Sequence, residues 1–258
     1  MKRFLKKCHI PNWLLLILLL VFILRIPSFF EPFYYGDEMI YLTLGEGIKQ
    51  GVPLYSGLYD NKPPLLYLTA AAAGNVFWFR AILAFWSLAT IILFWHLAKK
   101  LFPPLSGASP KMKLQQIATA IFALLTTIPL LEGNMANAEN FLIGPVMAAF
   151  LILFNKKLTF KKIFLAGLLF SVAALFKIPA VFDLPVIIVF WVITGLVKKE
   201  DFKKIAKNTA ALGLGFILPI LLTFIWFKFQ GAFKEYLIAA FLQNLGYLSS
   251  WKGQEIKQ

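Results

Sequence analysis

Asp37, Glu38, Asp60, Lys62, Glu139 and Lys177 are charged side chains set beside or between long apolar runs, away from the basic clusters of the chain. A charge at membrane depth costs on the order of 2.5–3.5 kcal/mol, so such residues are kept where water, a partner or a substrate offsets them. The carboxylates can take a proton from a hydroxyl or hold a cation, and the lysines can bind phosphate as point charges. Asp37, Glu38, Asp60 and Lys62 share one polar interval, residues 36 to 68, while Glu139 and Lys177 stand at the ends of later apolar runs. Each also has a plain structural alternative. Asp37 can be a solvated helix start, Lys62 a loop charge before Pro63 and Pro64, Glu139 an electrostatic helix cap and Lys177 a snorkelling side chain.

The elements that must position these residues are membrane helices. The chain has 258 residues, 60% of them hydrophobic, with mean hydropathy +0.75, where a soluble domain is about 45–50% apolar. Apolar runs at about 13–30, 80–97, 114–131, 139–154, 162–176, 180–197 and 209–228 predict an all-α, polytopic bundle of about seven transmembrane helices. The net charge of +14 does not point to nucleic acid, because seventeen of the 26 basic residues gather in every second loop. These clusters are Lys2, Arg3, Lys6 and Lys7; Lys99, Lys100, Lys111 and Lys113; Lys156, Lys157, Lys161 and Lys162; and Lys198, Lys199, Lys203, Lys204 and Lys207. The positive-inside rule makes those loops cytoplasmic, so the expected setting is a multi-pass cell-membrane protein with its N-terminus inside and its candidate site on the outer face. Cys8 sits alone in the basic tail, and His9 and His96 have no Cys or Asp neighbours, so no zinc or thiol site is indicated. Residues 1–30 lack a small-residue cleavage site and read as a retained first helix, with Arg25 snorkelling to the outer surface.

The first outer loop, about Glu31 to Phe79, is far longer than a helix–helix connection of about 2–8 residues. Within it Asp37 to Lys49 predicts a short interfacial helix with Ile40, Leu44 and Ile48 on its apolar face, and Leu65 to Ala73 a second helix started by Pro63 and Pro64. Gly45, Gly47 and Gly51 lack the dinucleotide-binding spacing and read as helix ends and turns. Residues 229–258 form an outer segment in which Phe233, Tyr236, Leu237, Ala240, Phe241, Leu245 and Leu248 make an apolar stripe along the interface.

The order Gly36-Asp37-Glu38, Tyr41, Lys62-Pro63-Pro64-Leu65, Tyr67 and then Arg80 resembles the GT-C membrane glycosyltransferases. The likeness is to the bacterial branch of aminoarabinose transferases and relatives of protein O-mannosyltransferases, with Glu139 and Lys177 where that family often has a carboxylate and a lysine. The resemblance implies that 1–258 is a single transmembrane domain corresponding to the N-terminal part of such an enzyme, with 31–79 as its outer catalytic loop. It further implies a polyprenyl-phosphate sugar donor, a lipid, glycan or protein acceptor in the cell envelope, and inversion at the anomeric carbon. Asp37 would then be the acid/base group and Glu38 its neighbour, Lys62 and Lys177 would contact the donor phosphate, and Glu139 and Asp60 would serve the acceptor or a divalent cation. The resemblance fixes no cofactor beyond that divalent cation. The alternative reading is a membrane transporter or lipid-binding helper without catalysis, for which inverted sequence halves would be the sign, and none is visible.

Overall fold

The computed structural model describes residues 10–32, 35–102, 114–155, 157–198 and 201–244. Its regular elements are helices, and the only strand-like pairing among the described residues is an isolated bridge between Leu54 and Leu58. Helix α1, Asn12–Phe30, runs antiparallel to α4, Val76–Leu101, so that Trp13 at the start of one meets Trp95 near the end of the other, and Phe29 meets Phe77. Between them in sequence lie the short helices α2, Gly36–Lys49, and α3, Leu65–Ala73. Helix α5, Leu114–Leu125, packs on α4 by stacking Phe122 on Phe94 at 4.2 Å. Helices α6, Ala138–Leu153, α7, Phe160–Phe176, α8, Asp183–Lys198, and α9, Phe202–Phe229, follow, and then the short α10, Phe233–Leu237, continued by a π turn over Ile238–Leu242.

Small residues let α7 and α9 touch backbone to backbone. A Cβ on Gly167 would sit 2.2 Å from the Leu212 carbonyl oxygen, and one on Gly215 would sit 2.1 Å from that of Phe164. Helices in lipid lack a hydrophobic force between them and associate through such close packing, so this crossing holds the second half of the bundle together. Helix α2 crosses α3 in the same way at Gly45, whose Cβ would meet Ala71 N at 2.6 Å. That close approach, rather than a turn, is what Gly45 supplies.

Four stretches are long and apolar enough to cross a membrane: Asn12–Phe30, Val76–Leu101, Ile178–Lys198 and Phe202–Phe229. The chain is thus an all-helical protein with membrane-spanning segments, and α1, α8 and α9 turn Leu20, Leu24, Phe190, Ile193, Leu221 and Leu222 outward as lipid-facing side chains would be. The expected third span, 114–131, stops at Leu125 because the Thr126 and Thr127 hydroxyls bond back to backbone carbonyls and Pro129 opens a 3₁₀ turn. Helices α5 and α6, with 12 and 16 residues, fall short of a full crossing. The sixth run begins as a 3₁₀ turn over Ile178–Phe182, and the second starts a turn before Arg80, with Asn75 as its cap.

Arg25 does not snorkel. It is 2% exposed, turned inward from α1, and its Nη2 donates to Ser87 Oγ at 2.9 Å and to the Thr126 carbonyl at 2.7 Å. The lipid-facing side of α1 is continuous leucine and isoleucine, so the guanidinium has partners only on the protein side.

Two ends of the bundle are chemically distinct. At one, the start of α4, the start of α6 and the ends of α7 and α9 share a core with the loop helices: Phe79, Ala138, Phe176 and Phe227 pack with Tyr41 and Tyr67. At the other, Lys100 closes the end of α4 onto the end of α6 by donating to the Phe154 carbonyl and to Asn155 Oδ1. The basic clusters around Lys157, Lys161, Lys162, Lys203, Lys204 and Lys207 lie at this second end. Residues 1–9 with Lys2, Arg3, Lys6, Lys7, Cys8 and His9, and also Lys111, Lys113, Lys156, Lys199, Leu245 and Leu248, lie outside the described residues.

Candidate functional site

Helix α2 carries Asp37 and Glu38 in its first turn, where carboxylates oppose the positive end of the helix dipole. Its buried face is Tyr41, Leu44 and Gly45, whereas Ile40, expected on that face, is 46% exposed. The register places Tyr41 one turn after Asp37, and its phenol donates to Asp37 Oδ2 at 2.7 Å. Burial, and then this bond to Asp37, push the Tyr41 phenol far above its ordinary range, so it stays a neutral donor.

The segment between α2 and α3 brings Lys62 to the same carboxylate. Its Nζ lies 3.4 Å from Asp37 Oδ2 and 3.9 Å from Asp60 Oδ2, and it stands over the Tyr41 ring 4.9 Å from the centroid. The backbone around Lys62 is fixed on both sides: its N–H donates to the Tyr67 hydroxyl, and its carbonyl accepts from Tyr55. Tyr67 in turn donates to Asp60 Oδ2 at 2.8 Å. Asn244, beyond α10, donates to the Asn61 carbonyl at 3.0 Å, so the end of the described chain also braces this loop. Burial, and then the charge of Asp60, raise the Tyr67 phenol far above its usual value.

The result is one ammonium between two carboxylates on a floor of buried tyrosines. The Lys62 and Asp60 side chains are 20% and 18% exposed, while that of Asp37 is 45% exposed. One oxygen of Asp37 is therefore held by Tyr41 and Lys62, and the carboxylate is open to solvent. A carboxylate so oriented can accept a proton from an incoming hydroxyl, and an ammonium beside it can attract an anion.

Glu38 belongs elsewhere. It is 1% exposed and faces Arg80, with Oε2 2.6 Å from Nη2 and 3.1 Å from Nε, while Oε1 also accepts from the Ala136 N–H at 2.7 Å. Arg80 Nη1 further donates to the carbonyls of Ser28 and Glu31. The expected catalytic neighbour of Asp37 is thus a buried clamp joining α2, α4, the end of α1 and the segment before α6, with no surface for a substrate. The helical turn of about 100° per residue that separates adjacent side chains sends Asp37 to water and Glu38 to the core.

Glu139 and Lys177 were expected to serve different ligands, and the structure pairs them. Glu139 opens α6, Lys177 follows α7, and the Lys177 ammonium, its side chain 33% exposed, donates directly to the carboxylate of Glu139, which is 52% exposed. Their neighbours Ala138 and Phe176 pack in the same core as Tyr41 and Tyr67, so both residues stand at the end of the bundle that carries Asp37. Tyr35 stands within electrostatic reach of both groups. It donates to Glu132 at 2.9 Å, and burial, that bond and the charges of Glu132, Asp37 and Glu139 push its phenol up to about 12.

Among the described residues no three His, Cys, Asp or Glu side chains form a ready metal site. The tyrosines are what residue-by-residue reading missed: Tyr41 and Tyr67 stood in the motif without roles, although the Asp37–Tyr41 spacing of one helical turn was a signal. A cavity of about 330 Å³ is lined mainly by apolar side chains including Ile48, Leu54, Leu68, Trp226 and Phe227, the last of which meets the Tyr55 ring edge-on. No protein-family model, no curated protein and no solved structure matches the chain.

Proposed function

We propose that this protein is a membrane glycosyltransferase of the GT-C kind, moving a sugar from a polyprenyl-phosphate donor to a hydroxyl of a lipid, glycan or protein acceptor at the outer face of the cell membrane. The observation that carries the reading is the Asp37–Lys62–Asp60 cluster, placed by two short helices at one end of a bundle with membrane-spanning helices. The hydroxyl oxygen of the acceptor attacks the anomeric carbon opposite the phosphate, and the carbon–oxygen bond to phosphate breaks. Polyprenyl phosphate leaves with the electron pair, configuration inverts, and the hydroxyl proton passes to Asp37. Lys62 and Lys177 offset the phosphate charge, each exchanging a carboxylate contact for one to the donor. Asp60 and Glu139 then hold these lysines in place between turnovers.

Supplying the purified protein in detergent with radiolabelled polyprenyl-phosphate sugars and membrane lipid acceptors tests the proposal. Label transferred to an acceptor supports it. Tight binding of polyprenyl phosphates without transfer to any acceptor would instead favour a lipid-binding helper.

A further inference from the structure

At the basic end of the bundle, far from Asp37 along every helix, a cavity of about 530 Å³ opens between the α6–α7 turn, the end of α8 and the start of α9. It exists because α8 rests on α7 and α9 mainly through Leu184, Ile187, Ile188 and Trp191, while Leu196 and Val197 in its last turn are 75% and 79% exposed. Lys157, Thr159 and Lys204 are its exposed polar margin, and Leu158, Trp191 and Ile205 form an apolar wall that runs into the lipid-facing side of α8.

Lys157 and Thr159 are set to receive an anion. No carboxylate pairs with the Lys157 ammonium among the described residues. Thr159 caps α7 by accepting from the Lys162 N–H, which leaves its hydroxyl proton to donate. Lys162 donates to the Lys157 carbonyl and so fixes the turn that carries both residues. A soluble phosphate would use the lysines and the threonine but gain nothing from the Trp191 wall, whereas a lipid would use both. Basic pockets between helices at membrane level recognise anionic headgroups in this way, with tryptophan placed at the interface.

We propose that this cavity binds the phosphate-bearing headgroup of an anionic phospholipid, with Lys157, Thr159 and Lys204 on the phosphate and the first acyl carbons along Trp191, Leu158 and Ile205. The site is independent of the sugar chemistry at the other end and would tie the α7–α8–α9 group to the acidic leaflet.

The full chain, solubilised in detergent, is titrated with phosphatidylglycerol and with phosphatidylcholine, and bound lipid is read by native mass spectrometry. Saturable retention of phosphatidylglycerol over phosphatidylcholine is expected, weakened about tenfold or more in Lys157→Gln/Lys204→Gln, since each interfacial lysine adds appreciably to headgroup attraction. Lys161→Gln/Lys203→Gln removes the same charge outside the cavity and should shift retention by less than about twofold. Equal weakening by the two pairs would reduce the effect to surface charge and overturn the site. Absence of any preference for phosphatidylglycerol, or displacement of it by an equal concentration of glycerol phosphate, would overturn it too.

Discussion

The ammonium of Lys62 lies 3.4 Å from the carboxylate of Asp37, across 25 positions of chain and between two short helices. The contact is not a generic surface ion pair, because Tyr41 donates to the same carboxylate oxygen and Tyr55 and Tyr67 hold the Lys62 backbone. Tyr41→Phe removes that donor without changing ring packing. Transfer should fall about tenfold while the protein stays folded, since loss of a positioning contact degrades geometry more than stability. Activity of Tyr41→Phe equal to wild type would show that Asp37 is oriented by other means.

The Glu38–Arg80 pair is the structural counterpart, with side chains 1% and 0% exposed. Removing one partner of a buried pair leaves an uncompensated charge and costs about 3–5 kcal/mol. Glu38→Gln should therefore lower the thermal unfolding temperature in detergent sharply, and Glu38→Gln/Arg80→Gln should recover part of the loss. A Glu38→Gln protein as stable as wild type but inactive would return Glu38 to a catalytic role.

Lys177 and Glu139 are exposed enough that their pair contributes at most about 1 kcal/mol to stability. If Lys177 binds donor phosphate, Lys177→Met weakens donor affinity, whereas Glu139→Gln releases the ammonium and leaves donor affinity equal or tighter. Parallel weakening in both variants would make the pair a structural strap between α6 and α7.

Tyr35 provides a pH signature. Its phenol is raised to about 12 by burial, by Glu132 and by the neighbouring acids, against about 10 for an ordinary tyrosine. The folded state holds the proton more tightly, so the stability it contributes is complete below about pH 10 and is lost as pH rises through about 12. Tyrosinate absorbance of wild type minus Tyr35→Phe should show one residue titrating near the upper value. A difference step near the ordinary value would mean that Tyr35 is open to water.

The fold was legible where composition acts over long windows and less so where single side chains decide. The start of Leu65–Ala73 is marked by its prolines, and α9 by a long apolar run. The third span failed because threonine back-bonding and Pro129 end a helix that hydrophobicity alone would continue. The direction of Arg25 is not legible in the sequence because a basic residue near a helix end can snorkel or turn inward, and only the neighbours Ser87 and Thr126, distant in sequence, decide between them. The candidate site was legible as residue types in one interval. Its division into an open Asp37 and a buried Glu38 was not, because it depends on Arg80 arriving from α4. The stripe from Phe233 has the spacing of an interfacial helix, yet Tyr236, Ala239 and Ala240 are fully buried against the Phe227 end of α9, since the tyrosine cluster offers that stripe a protein surface.

The orientation of the bundle is checked by cysteine accessibility. A single cysteine at Tyr59, which is 62% exposed, should react with an impermeant reagent in intact cells, and those at Lys161 and Lys203 should not, as the alternating basic loops require. Strong labelling at Lys161 would invert the assignment and put the Asp37 cluster on the cytoplasmic side.

The most direct measurement is sugar transfer from a radiolabelled polyprenyl-phosphate donor by wild type and by Asp37→Asn, with donor binding measured on the same preparations. A hydroxyl is a weak nucleophile at neutral pH, and a positioned carboxylate that takes its proton supplies roughly 10²–10⁴-fold. The amide keeps the shape of the side chain and its bond from Tyr41 but cannot accept the proton. Transfer should drop by about two orders of magnitude or more with donor binding equal or tighter, since the neutral amide competes less for Lys62. Near-normal turnover in Asp37→Asn, with complete loss in Glu139→Gln, would contradict the account and move the base to Glu139.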